Sequence, residues 1–97
     1  MSDLHDKLKS EILGVTWLDL QDHVARETVF VVSQDLDLAD VGAKVAVDEV
    51  ESVATWIDEQ SLSRPSPEQR EAWDREPAKM FHFLIVQPYV LIQEQPH

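Results

Sequence analysis

The stretch Met80–Gln93 constrains the fold of this chain most. Side chains alternate across a strand, so Phe81, Phe83 and Ile85 point one way, and Met80, His82, Leu84 and Val86 the other. Apart from His82, both faces are apolar. Thr28–Ser33, with Thr, Val, Phe, Val, Val and Ser in order, has the same character. A strand apolar on both faces belongs inside a sheet that is covered on both sides. The chain must therefore supply two covers, or supply one and borrow the other from a second copy of itself. Pro88 cannot donate to a ladder and marks a bulge, a bend or an edge, after which Tyr89–Ile92 resumes strand composition.

Helix signals fill the remainder. Leu4, Leu8 and Ile12 form a stripe at helical spacing, and Gly14 stands where a helix end favours a left-handed residue. Thr16 with Asp19 reads as a capping box opening a second helix, with Trp17, Leu20 and Val24 on its buried side. Asp37 caps a helix over about 38–47. Asp48, with Glu51 three residues on, starts another over about 49–60, striped by Val50, Val53, Trp56 and Ile57. Ser61–Pro67 resembles a linker but is too short to divide domains. Ser66-Pro67 with Gln69 starts a last, mostly polar helix that Pro77 ends. The expected fold is α+β, a single domain over residues 1–97. A small two- or three-stranded sheet, with strands near 28–33, 81–87 and 89–93, packs with four to five helices.

Charge narrows the partners. Nineteen Asp and Glu face eight Lys and Arg, a formal charge of −11 on 97 residues, spread along the whole chain. Such a surface repels phosphate and anionic lipid, which argues against nucleic acid and membrane as direct partners. The chain has no cysteine, which excludes disulfides, thiolate zinc sites and thiol nucleophiles. Its N-terminus lacks the basic and apolar regions of a signal peptide, and no apolar run reaches the roughly 20 residues that span a bilayer. The expectation is a cytoplasmic protein.

Catalytic and metal chemistries find little support. Asp35, Asp37 and Asp40 fail the EF-hand pattern, since position 5 would be Ala39 and position 12 Ala46. Neither Gly14 nor Gly42 lies in a phosphate loop or a nucleophile elbow. No cofactor or metal is expected. Asp19, His23 and Arg26 make a weak candidate polar site, because Asp19 and His23 share a helical face, with Glu27 one turn beyond. His82 reads as a half-buried strand residue, and His5 and His97 as exposed residues near the chain ends. Trp73 is flanked by Arg70, Glu71, Asp74 and Arg75. It is either the anchor that pins a polar helix or, with Arg70, a contact for a partner. Pro88 and Tyr89 complete the candidate interaction residues.

The order of these signals resembles a small bacterial family of unknown function, numbered 2288. The residues that carry the likeness are Leu8 and Glu11, Trp17 with Leu20, Arg26, Leu36-Asp37-Leu38 with Val41, and Asp48, Val53 and Trp56. Trp73, Val86-Gln87-Pro88 and Leu91-Ile92-Gln93 complete it. The resemblance implies a bacterial, stand-alone domain and assigns no catalytic or binding residue. The leading expectation is a non-enzymatic module that acts through a protein partner or as a homodimer. The alternatives are an acidic inhibitor or nucleic-acid mimic on a basic protein surface, and a small ligand-binding domain or enzyme.

Overall fold

A computed structural model describes residues 3–95. Among these residues, five strands form one mixed sheet: β1 (Leu13–Thr16), β2 (Val29–Val32), β3 (Leu62–Ser63), β4 (Met80–Val86) and β5 (Tyr89–Glu94). Their spatial order is β1-β4-β5-β2-β3. The β4–β5 hairpin is its antiparallel centre, with Phe83 opposite Ile92 and Val86 opposite Tyr89. Gln87 and Pro88 make the hairpin turn and are joined by a cis peptide. β2 runs parallel to β5, and β1 and β3 close the two edges in antiparallel pairing.

The sheet is thus larger than the two or three strands expected. β1 covers only four residues and β3 two, and each is defined by its neighbour across the ladder rather than by local composition. Gly14 lies within β1 opposite His82 and has no left-handed backbone, so it does not end the first helix.

Five α-helices surround the sheet: α1 (Asp3–Glu11), α2 (Gln21–Ala25), α3 (Leu38–Ala46), α4 (Val50–Asp58) and α5 (Pro67–Asp74). The second predicted helix is split into a 3-10 turn, Leu18–Leu20, and the short α2. Its capping box is present: Thr16 N–H donates to Asp19 Oδ2 at 3.1 Å, and Asp19 N–H to Thr16 Oγ1 at 3.3 Å. Ser66 and Gln69 exchange the same pair of bonds at the start of α5. Asp37 caps α3 by accepting from Ala39 N–H.

Helices α2, α3 and α4 end alike. The residues after their caps, Glu27, Asp48 and Gln60, have φ of 59°, 54° and 61°. In each case that residue and the next donate back into the last turn, the two bonds of a Schellman motif. Asp48 is therefore the end of α3 and not the cap of α4, which begins after Glu49 without a side-chain cap bond.

Both sheet faces are covered from within the chain. On one, α2, the 3-10 turn and α5 bring Trp17, Leu20, Val24 and Trp73 onto Val29, Val31, Phe81, Phe83, Val90 and Ile92. On the other, α1 and α3 bring Leu8, Leu38 and Val41 onto Val32, Leu62, Leu84, Val86 and Leu91. Gly42 lets α3 approach β4 closely, since a Cβ there would lie 2.6 Å from Leu84 Cδ2. The fourth helix, α4, packs on this second face only through half-buried residues.

Candidate functional site

Helix α4 has Val50, Val53, Trp56 and Ile57 on its inward arc, yet none of its residues is buried. Val53 and Trp56 are half-buried against the core, whereas Val50 remains 72% and Ile57 49% exposed. Between this helix and the sheet lies an apolar groove of about 140 Å³. Phe30, Leu62 and Leu91 form its floor, and Val45 of α3 with Val53 and Ile57 of α4 its wall. Tyr89 stands at its lip, 42% exposed, with its ring edge-on to Phe30 at 5.5 Å. The Arg64 guanidinium lies 5.8 Å from the Phe30 centroid. A cavity of this size and lining accepts one aromatic or branched aliphatic group. Covering the exposed parts of Ile57, Tyr89 and Val50 would contribute on the order of 1 kcal/mol each.

Charge distinguishes this groove. From Asp37 to Ser63 the chain carries seven acidic residues and one basic residue, Lys44. Lys44 is occupied, since its ammonium lies 2.9 Å from Glu49. Hydrogen bonds from Lys44 and from the Ser52 hydroxyl hold Glu49 below the ordinary carboxylate range. The acids at 48, 51, 58 and 59 are exposed along and at the ends of α4.

The interaction residues expected from sequence separate. Trp73 is only 6% exposed and packs edge-on against Trp17 and Phe81, with centroids 5.0 Å from each. It is the anchor of α5 and offers no surface to a partner. Arg70 lies elsewhere, in a recess it shares with Glu27, Arg64 and Pro67. Pro88 is exposed in the hairpin turn, and Tyr89, next to it, joins the groove.

Among the described residues, Asp19, His23 and Arg26 share no side-chain hydrogen bond or ion pair with one another. The Asp19 carboxylate serves the capping box, and the His23 ring packs tilted against Phe83, with centroids 5.6 Å apart. Arg26 is exposed at the end of α2. Among the described residues, no three His, Asp or Glu side chains are grouped to hold a metal ion.

A second cleft, more open and about 490 Å³, lies between α1 and the cross-strand row Gly14–His82–Gln93. Gln93 is already engaged there, donating to the Ser33 and Leu36 carbonyls at 2.7 and 2.8 Å. His5, expected to be exposed, is half-buried and donates to Asp37 at 2.8 Å. This bond to the cap residue of α3 raises its pKa above the ordinary 6.5. His97 lies outside the described residues.

Sequence patterning named the stripe of α4 and singled out Tyr89, but it missed Phe30, Val45, Leu62 and Leu91 as one surface. Their positions in the chain hold no shared local signal. Among the described residues, no helix is long and apolar enough to cross a membrane.

Comparison with known proteins agrees with this description. The family model described as "Protein of unknown function (DUF2288)" matches residues 3–94. The chain is similar to PA1075 from Pseudomonas aeruginosa, solved by NMR in solution, at 32% identity and a TM-score of 0.81. That match covers 100% of this chain and 89% of the other. The comparison with curated proteins found no match.

Proposed function

The chain belongs to the DUF2288 family, and from that premise we propose that it is a non-enzymatic protein-interaction module whose contact surface is the groove between α4 and the sheet. One observation carries the reading. An amphipathic helix without a single buried residue borders a preformed apolar groove, in a domain whose sheet is otherwise well covered. A helix held this lightly leaves Val50 and Ile57 in water, where they gain from a partner what the domain itself does not supply. The absence of cysteine fits a reducing, cytoplasmic setting, here taken as bacterial. The strong negative charge keeps nucleic acid and anionic membrane off the list of partners.

Co-purification from cells that make the protein at its natural level tests this. A partner that follows the wild-type chain should be lost with Ile57→Asp and kept with Ala72→Asp, which places the same charge on the exposed side of α5. Retention through both substitutions would refute the groove as the contact surface.

A further inference from the structure

Resting on that reading, we infer that the occupant of the groove is a basic amphipathic helix from a different protein. It seats an apolar side chain among Phe30, Ile57 and Tyr89 and lays Lys or Arg along α4.

Helix geometry supplies the first argument. At roughly 100° per residue, positions seven apart fall on nearly the same side. Val50 and Ile57 therefore make one apolar row at the exposed edge of the inward arc, and Glu51 and Asp58, each about 100° further round, make an acidic row on the solvent-facing flank of the helix. Asp48 and Glu59 extend the negative charge past both ends of α4, and the cations that border this region are Lys44, paired with Glu49, and Arg64, set over the Phe30 ring. The surface that complements an apolar row with exposed acids on its outer flank is a helix with an apolar stripe and Lys or Arg side chains long enough to reach past it.

The same charge argues against a second copy. A two-fold contact through this face would bring the acids of α4 toward those of its mate, in a dimer of two chains at −11 each. A basic helix turns that repulsion into attraction and speeds encounter. An added strand is also disfavoured, because the sheet edge nearest the groove is β3, whose ladder is only two residues long.

The test is an NMR titration with three synthetic helical peptides of about four turns, each with one leucine face. Their polar faces carry lysine, glutamine or glutamate. The lysine peptide should bind with a Kd of about 1–100 µM. It should shift the methyl resonances of Val53, Ile57, Leu62 and Leu91. Glu51→Lys with Asp58→Lys should weaken it about tenfold, whereas Glu68→Lys with Glu76→Lys, a matched change near α5, should not. Equal binding of the glutamine and lysine peptides, indifferent to these reversals, overturns the basic partner while leaving the groove as an apolar contact surface. Shifts scattered over the acidic surface and unaffected by Ile57→Asp, or no binding by any peptide, overturn both. A homodimer in sedimentation velocity that Ile57→Asp dissociates also overturns the inference, since the occupant would then be a second copy.

Discussion

The indole N–H of Trp17 donates to Asp74 Oδ1 at 2.7 Å, joining residues 57 positions apart. Trp17 is 1% exposed, so this bond satisfies a donor that water cannot reach freely, and it fixes the end of α5 to the core. Asp74→Ala leaves the donor unpaired and should cost about 1–3 kcal/mol. Asp74→Asn keeps an acceptor and should lose less. Urea unfolding of the three proteins checks the order, and equal stability of wild type and Asp74→Ala would show that the bond contributes nothing.

Three helices end on left-handed residues that are not glycine. At Gln60 the Schellman bonds are Gln60 N–H to the Ile57 carbonyl at 3.1 Å and Ser61 N–H to the Trp56 carbonyl at 2.8 Å. A side chain in that backbone conformation costs roughly 1 kcal/mol relative to glycine. Gln60→Gly should therefore raise the unfolding free energy by about 0.5–1 kcal/mol, read from the urea midpoint. A lower midpoint would contradict the strain.

Gly42 is held by space rather than by conformation. Its absent Cβ would lie 2.6 Å from Leu84 Cδ2, and Leu84 is itself fully buried, which restricts its retreat. Alanine normally favours a helix by up to about 1 kcal/mol over glycine. Here the clash should outweigh that gain, and Gly42→Ala should destabilise by about 1–2 kcal/mol. Thermal unfolding gives the sign directly.

How far the sequence disclosed this molecule depended on the range of each interaction. The Thr16/Asp19 and Ser66/Gln69 boxes were legible because their partners lie three residues apart. The central strands were legible because both of their faces are apolar. β1 and β3 were not, since four and two residues of ordinary composition become strands only beside β4 and β2. The Schellman ends escaped because Glu27, Asp48 and Gln60 stand where glycine is the usual signal. The polar neighbours of Trp73 left it readable as an anchor or as a partner contact, because the ring that decides for the anchor, Trp17, comes from the other half of the chain. The groove draws on residues from 30 to 91, so only its α4 stripe and Tyr89 could be read in advance.

His5 is a further long-range case, bonded to Asp37 across 32 positions. Its folded pKa lies above the ordinary 6.5, raised chiefly by that hydrogen bond. The protonated ring is thus favoured by folding. Its contribution is complete below about pH 6.5 and disappears as pH rises through the elevated folded value. Titration of the His5 ring by NMR should give a midpoint above 6.5 that falls in Asp37→Asn. An unchanged midpoint would mean that the Asp37 contact does not hold in solution.

The most direct measurement places a photo-crosslinking amino acid at position 57 in living cells, with position 72 on α5 as the control. The groove account predicts one discrete adduct from position 57, abolished by Tyr89→Asp, and none of that mass from position 72. An adduct equally strong from position 72, or one from position 57 that ignores the charge at position 89, would contradict it.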